Sequence, residues 1–136
     1  IDIQTGGLGV AVPNDHRLAR AKSVKLADIV DEQFVVVPRS TASPGYGPLV
    51  ELFERSGHAP RIGQEVETIA SQLNLISVGM GIGFVVTGSQ FTYPAGVAVL
   101  PLDDVNYATS FVFGWVKGQK SPALERIVDV IQGLIK

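Results

Sequence analysis

The sequence predicts an α/β fold with a mostly parallel, doubly wound sheet, and three observations support this prediction. Short runs rich in β-branched residues alternate with segments whose apolar residues recur at helical spacing. Glycine and proline stand at the borders between these runs, where turns are expected. With 136 residues, 46% hydrophobic and 18% charged, the chain has the length and composition of one globular domain. Strands that alternate with helices in this way are typical of a parallel sheet covered by helices.

Each predicted strand is a short apolar or alternating run that ends at a turn signal. The run before Pro13 alternates small and apolar residues, and the run before Pro38 contains one phenylalanine followed by valines. Gly81 and Gly83 in the fourth run favour close packing of a helix against the sheet. The Gly6-Gly7 pair near the start is interpreted as a turn or a join. The six predicted strands are residues 8–12, 34–37, 61–66, 80–86, 97–100 and 111–116.

The predicted helices are amphipathic and are bounded by capping residues. Gly57 follows the first long helix as a left-handed C-cap, and Thr68 stands at the N-cap of the second. Ser121 and Pro122 are typical N-cap and first-turn residues of the last helix. The large apolar residues of that helix are Leu124, Ile127, Val128, Ile131, Leu134 and Ile135. The predicted helices are short turns at 17–21 and 23–30, and longer helices at 48–55, at 69–78 and from 122 onward.

Composition and charge argue against several classes of protein. The formal net charge is −2, from 11 basic and 13 acidic side chains, which is unlike a nucleic-acid-binding surface. No apolar run in the sequence reaches the roughly 18 residues that cross a membrane, and the first residues lack the pattern of a signal peptide. The sequence contains no cysteine, which excludes disulfides, thiolate catalysis and cysteine-based metal sites. These features are compatible with a cytoplasmic protein.

A glycine-rich match to a dinucleotide-binding pattern is rejected. Gly79, Gly81 and Gly83 have part of the required spacing. The pattern needs a strand before its glycines and a helix after them, whereas here a predicted helix precedes and a predicted strand follows. We therefore predict no dinucleotide and no other cofactor.

Hydrolytic and metal sites also lack support in the sequence. His16 with Asp15 and Ser40, or His58 with Ser43, can be drawn as a catalytic set, yet no G-x-S-x-G elbow is present. Histidines in a turn and after a helix are far more often surface or capping residues than catalytic ones. Two histidines without a suitably spaced carboxylate make a poor metal site. The sequence therefore predicts a protein that is not an enzyme and holds no metal.

The segment from Phe34 to Pro60 predicts a binding function, because it combines a strand, a polar loop and a helix start. In open α/β sheets, small ligands bind beyond the carboxyl ends of strands, where loops and helix amides supply donors. A second junction, at residues 67–69, follows the next strand and should lie at the same edge. Such a pair suits the carboxylate or other polar head of a small organic ligand, with an aromatic wall against its apolar part. The predicted ligand-binding residues are Ser40, Thr41, Ser43, Pro44, Gly45, Tyr46 and Thr68. The alternative is an ordinary pair of connections whose small residues only cap the helices.

Several blocks of residues occur together in the order and spacing of a known family. They are residues 12–19 (VPNDHRLA), 24–29 (VKLADI), 34–38 (FVVVP), 57–60 (GHAP), 75–83 (LISVGMGIG), 100–102 (LPL) and 121–124 (SPAL). Together they resemble the effector-binding domain of LysR-type transcriptional regulators over roughly residues 8–136. Arg17 and Thr87 stand where the family usually has proline, so the loops at these positions are expected to differ. Residues 44–46 resemble the loop that meets aromatic-acid effectors in regulators of aromatic degradation.

The resemblance implies a two-lobed fold like that of type II periplasmic binding proteins, with a small-molecule effector held between the lobes. It implies that residues 8–107 form the second lobe and that residues 108–136 are the strand and helix that return to the first lobe, while residues 1–7 stay unassigned. Most of the first lobe and the DNA-binding domain are expected to lie outside this chain. DNA would therefore be contacted only through a domain absent from it, and the family implies a homo-oligomer.

The last predicted helix would normally cover the first lobe, so its apolar face needs another partner. We expect it to fold back on the sheet of the second lobe or to pair with another subunit. The alternative function is a solute-binding protein of similar fold that serves a transporter. The sequence upstream of Ile1 would distinguish the two, since a regulator carries a helix-turn-helix there and an exported protein carries a secretory leader.

Overall fold

The computed structural model describes residues 1–38, 45–88, 92–119 and 121–135, and these residues confirm the predicted α/β class. The strands are β1 Asp2–Pro13, β2 Gln33–Val36, β3 Arg61–Glu65, β4 Gly83–Thr87, β5 Val97–Pro101 and β6 Ala108–Val112. The helices are α1 Tyr46–Arg55, α2 Ile69–Ser77 and α3 Pro122–Leu134, and a 3-10 turn spans Leu26–Asp28. The order of the strands and of the three longer helices follows the prediction.

The prediction of a mostly parallel sheet is not confirmed by the pairing of the strands. β1 pairs antiparallel with β4 along one side and with β5 and β6 along the other. Among the described strands only β2 and β3 form a parallel ladder, and a parallel bridge between Phe34 and Ile82 joins that ladder to the start of β4. These pairings mean that β1 alone runs against the other described strands. Every ladder of the four-stranded sheet includes β1, and therefore every one of these ladders is antiparallel.

The Gly6-Gly7 pair lies inside β1 and is not a turn, which corrects the interpretation from sequence. Gly7 pairs with Thr87 of β4 on one side and with Ala108 of β6 on the other. A Cβ atom on Gly6 would overlap the carbonyl oxygen of Thr87. Glycine is needed here because the end of β4 approaches β1 so closely. The local turn signal is thus overridden by strand pairing between residues far apart in the chain.

The sheet is buried on both faces by two separate hydrophobic clusters. On the face covered by α1, the ring of Phe34 meets those of Phe53 and Phe84 edge-on, with centroids 5.4 Å and 5.8 Å away. The cluster on the opposite face, covered by α2, consists of Ala11, Val35, Leu73, Ile76 and Val85. Neighbouring strand residues such as Phe34 and Val35 contribute to opposite clusters because side chains alternate along a strand. Together the clusters hold α1 and α2 against opposite faces of the sheet.

Helix α3 stands apart from both clusters. Ser121 caps it as predicted, since its Oγ accepts a hydrogen bond from the amide of Leu124 at 3.1 Å. None of its described side chains is buried, and Val130 and Leu134 are 62% and 78% exposed. The helix therefore does not fold back onto the sheet of residues 8–107. Its apolar face is only partly covered within the described part of the chain, where Leu124, Val128 and Ile131 are half-buried.

Candidate ligand site at the carboxyl edge of β2 and β3

Strands β2 and β3 bring two helix starts to one edge of the sheet. The strands are parallel neighbours, with Val36 opposite Glu65, so their carboxyl ends lie side by side. β2 leads into α1 and β3 leads into α2. The first N–H groups of a helix have no partner inside it and carry the positive end of the helix dipole. This edge is therefore suited to a hydrogen-bond acceptor or an anion.

Three of the predicted site residues can be placed at this edge: Gly45, Tyr46 and Thr68. The others, Ser40, Thr41, Ser43 and Pro44, lie outside the described residues. The structure therefore describes the two helix starts but not the polar loop that the sequence predicts between β2 and α1.

The start of α1 is fixed tightly against β4. Gly45 is the N-cap residue of α1 and is buried, and a Cβ built on it would lie 2.6 Å from the carbonyl oxygen of Phe84. Tyr46 opens the helix, is partly buried and packs against the first hydrophobic cluster. No side-chain hydrogen bond caps this helix within the described residues. Gly45 itself has no side chain that could cap the first amides of α1.

Thr68 is the N-cap of α2, as the sequence predicts. Its Oγ1 accepts a hydrogen bond from the Ser71 amide at 3.1 Å and donates one to Ser71 Oγ at 3.0 Å. The threonine side chain is exposed. A hydroxyl group has one proton and two lone pairs, so one acceptor position remains for a further donor. Thr68 can contact a ligand, but its capping role alone accounts for its position.

A small crevice behind the two helix starts contains a residue that the sequence did not single out, Gln72. The crevice has a volume of about 10 Å³, which suits a single water molecule rather than an organic ligand. Its walls are Val36, Val37, Gly45, Tyr46, Leu49, Gln72 and Phe84. Gln72 lies on the buried side of α2 beside Leu73, so helical spacing was the signal that could have placed it there. The described residues thus form one wall of the candidate site and not an enclosed cavity.

Two larger grooves among the described residues lie elsewhere, between the outer side of α1 and residues 104–107. One of about 430 Å³ is lined by residues that include Glu51, Arg55, Asp104 and Tyr107. The guanidinium of Arg55 is already paired with Glu51, with 2.8 Å between Nη2 and Oε1. The remaining charge of the groove is acidic, which opposes the binding of a carboxylate.

The turn after β1 uses its polar side chains to hold the fold. The Leu18 amide donates to Nδ1 of His16, so the proton of the neutral ring is on Nε2, which donates to Glu32 Oε1 at 3.0 Å. Arg17, which stands where proline is usual, donates to the Asp28 carbonyl at 2.6 Å and to Glu32 at 3.2 Å. Within the described ranges no three His, Asp or Glu residues are grouped so that they could hold a metal ion. These contacts therefore give the turn a structural role.

Three further polar side chains take part in structural hydrogen bonds. The hydroxyl of Tyr93 donates to the carbonyl of Val86 at 2.9 Å, and burial raises the pKa of this tyrosine. Thr87, the second departure from the usual proline, accepts a hydrogen bond from the Gly7 amide at 3.2 Å. His58 lies against the carbonyl oxygen of Ser56 in the turn that ends α1. A reactive pairing is not apparent among these described residues.

A family model described as the LysR substrate binding domain matches residues 5–135. The chain belongs to this family. The LysR domain is 28% identical over 127 residues to the HTH-type transcriptional regulator ShiR of Corynebacterium glutamicum (strain R). It resembles the effector binding domain of QuiR, solved in complex with shikimate, with a TM-score of 0.78 and 25% identity, over 99% of this chain and 64% of that one. It also resembles full-length CbnR in complex with its target DNA, with a TM-score of 0.76 and 23% identity, over 100% of this chain and 48% of that one.

The LysR domain covers less than half of the curated regulators that it matches. The match to ShiR takes in 93% of this chain and 43% of ShiR. At the identity found with CbnR, the likeness shows the fold alone, which is the effector-binding fold of LysR regulators. In the described parts of the chain, no helix has the length and apolar character needed to cross a bilayer.

Proposed function

We propose that this LysR domain is the effector-sensing part of a LysR-type transcriptional regulator. It binds a small organic molecule whose carboxylate or other polar head meets the helix starts at the edge of β2 and β3. The observation that carries the proposal is the parallel pairing of these two strands, which brings α1 and α2 to one edge. The likeness to ShiR and to the QuiR domain, which holds shikimate, favours a regulator over a solute-binding protein of a transporter. The domain is proposed to sense its ligand without transforming it.

The binding residues are proposed to come from both helix starts and from the loop before α1. Gly45, Tyr46 and Thr68 lie at the described edge. Ser40, Thr41, Ser43 and Pro44 are proposed for the same role from the sequence. Helix amides and the hydroxyl groups proposed for the loop can hold a carboxylate without a basic side chain, and Tyr46 supplies an aromatic surface. Thr68 can accept a hydrogen bond from a hydroxyl group of the ligand.

Residues 8–107 are proposed to be the second lobe, and residues 108–136 to belong with a first lobe whose remainder lies outside this chain. The exposure of α3 supports this division, because a first lobe would cover its apolar side chains. β6 pairs with the first residues of β1, and both strands are proposed to connect the lobes. The whole regulator is proposed to be a cytoplasmic homo-oligomer that contacts DNA through a domain absent from this chain.

Calorimetry on the intact regulator tests the proposed site. Shikimate and a panel of aromatic and aliphatic carboxylates are titrated into the wild type and into Thr41→Ala and Thr68→Ala. Thr41→Ala should weaken the tightest binder by about tenfold, since a hydrogen bond to a charged group contributes roughly 1.5–3 kcal/mol. Thr68→Ala should weaken it by about fivefold, since Thr68 Oγ1 can accept only from a neutral donor of the ligand, a bond that contributes about 1 kcal/mol.

Ser121→Ala is the matched control, because it removes an N-cap from α3 without touching the proposed edge. Unchanged affinity in both threonine variants would remove the site. Turnover of a panel compound that persists through every purification step would contradict the non-catalytic role.

A further inference from the structure

Gln72 is an unusual residue for the buried side of a helix. Its side chain is 5% exposed, and it is the one polar residue in the buried set of the described chain. It lies between Leu73 and the carboxyl end of β2, in the cluster that α2 forms with the sheet. An amide in such a position costs free energy unless its hydrogen bonds are made inside the protein.

The side-chain amide of Gln72 lies at the place where β2 and β4 diverge. The Val35 amide donates to Ile82, and the Ile82 amide donates to Gln33, which forms one step of a parallel ladder. In a continued parallel ladder, the Phe84 amide would be the next donor to the carbonyl of Val35. Instead, Nε2 of Gln72 donates to that carbonyl at 2.8 Å. The side chain thus takes over a strand-to-strand hydrogen bond at the point where the sheet opens.

The neighbouring residue in β4, Gly83, leaves room for this contact because it has no side chain. A Cβ built on Gly83 would lie 2.7 Å from Nε2 of Gln72 and 3.1 Å from the Val35 carbonyl oxygen. Any larger residue would push the amide away from its acceptor. The glycine and the buried glutamine therefore form one arrangement.

This arrangement joins both helix starts of the proposed site. The backbone N–H of Gln72 donates to the carbonyl of Thr68 at 3.0 Å, so Gln72 belongs to the first turn of α2. Its side chain also lines the crevice whose other walls include Gly45 and Tyr46 of the α1 start. Anchoring Gln72 on β2 therefore fixes the first turn of α2 relative to the first turn of α1.

We propose that Gln72 is a positioning residue for the effector site, and that its bond to Val35 sets the spacing between Thr68 and the start of α1. This inference rests on the proposed function. Gln72 keeps Thr68 and the start of α1 at the distance at which one ligand can contact both, and it needs no ligand contact of its own. Its loss should weaken binding even where the fold persists.

The test compares Gln72→Leu with Leu73→Ala in the intact regulator. Both variants disturb the same cluster, but only the first removes the bond to β2. Hydrogen exchange is followed at the end of β2 and in the first turn of α1, and shikimate affinity is measured by calorimetry. Gln72→Leu should speed exchange at both places and weaken shikimate binding, each by about tenfold, as expected for a lost buried hydrogen bond. Leu73→Ala should change the exchange rates at these two places and the shikimate affinity by no more than about threefold, once the exchange rates are corrected for any loss of its global stability.

Gln72→Glu provides a rescue that a purely steric role would not show. A carboxylate cannot donate to the Val35 carbonyl, whereas a protonated carboxyl group can. Protection from exchange at the end of β2 and in the first turn of α1, compared with the wild type at the same pH, should therefore return as the pH is lowered. Equal exchange in Gln72→Leu and Leu73→Ala, or faster exchange with unchanged shikimate affinity, would overturn the inference. If the wild type binds neither shikimate nor the carboxylate panel, the proposed ligand class fails, and the exchange comparison alone decides the role of Gln72.

Discussion

Replacement of Gly45 by alanine tests how closely α1 must approach β4. A Cβ on Gly45 lies 2.6 Å from the carbonyl oxygen of Phe84 and 3.2 Å from its carbonyl carbon. These are backbone atoms of a strand that pairs with β1, so they cannot rotate aside as the end of a side chain would. The start of α1 must therefore move outward, and Phe53 on the same helix loses part of its contact with the ring cluster.

The size of the effect follows from the cost of overpacking, which is about 1–3 kcal/mol. An unfolding entropy of roughly 2.1 cal/mol/K per residue corresponds to about 0.29 kcal/mol/K for 136 residues. Division gives a fall in Tm of about 3–10 °C for Gly45→Ala. Thermal unfolding followed by circular dichroism measures this change.

Gly133→Ala is the matched control for that experiment. A Cβ on Gly133 has no heavy atom within 4 Å, and the residue lies inside α3, where alanine favours the helix. The Tm of this variant should stay unchanged or rise slightly. A Tm for Gly45→Ala within about 1 °C of the wild type, where at least 3 °C is expected, would refute the close approach of α1 to β4.

Three further substitutions probe the core, a cap and a partly buried hydroxyl. Phe53→Ala removes a ring from the three-phenylalanine cluster, and urea unfolding should show a loss of about 3–5 kcal/mol. Thr68→Ala removes the cap on the Ser71 amide and should lower the free energy of unfolding by about 0.5–2 kcal/mol in the same assay. Burial raises the pKa of Tyr93 above its ordinary 10.0, so its contribution is fully present below pH 10.0 and is lost as the pH rises through the folded-state pKa. Unfolding measured across alkaline pH should therefore show a decline that Tyr93→Phe lacks.

Two of these substitutions have a control on an exposed or differently placed residue. Leu134 is 78% exposed, so Leu134→Ala should leave the free energy of unfolding nearly unchanged, and a loss equal to that of Phe53→Ala would contradict the core assignment. Tyr107→Phe should keep the alkaline decline that Tyr93→Phe removes. A Thr68→Ala variant as stable as the wild type would mean that α2 does not depend on its cap.

The helices and most strands were predictable because their signals are local. Ser121 and Thr68 each place a side-chain oxygen where the first helix amides need an acceptor, and the structure keeps both caps. The run of residues 34–37 is apolar throughout because β2 is buried on both faces. Family membership could also be inferred, since blocks of residues in a fixed order carry it and the family model matches residues 5–135.

The candidate site was predictable in part. Because α1 and α2 each follow one of two consecutive strands, we expect their starts to lie together. The parallel pairing of β2 and β3 in the structure supports this expectation. Gln72 was missed because helical spacing could place it on the buried side of α2 but gave no sign of its hydrogen-bond partner. Its role depends on Gly83 and Val35, which lie 11 and 37 residues away in the chain. The predicted contacts of residues 40–44 stay predictions, since those residues lie outside the described part of the chain.

Local patterning in this chain determines where it is buried, where its helices begin and which family it belongs to. Tertiary structure alone decides that β1 runs against its neighbours and that Gly6 and Gly7 continue a strand instead of turning. It also decides that a glutamine replaces a backbone donor where the sheet opens. The physical reason is that hydrophobic periodicity and capping act between residues a few positions apart, whereas strand direction and close backbone approach depend on partners brought together only by folding.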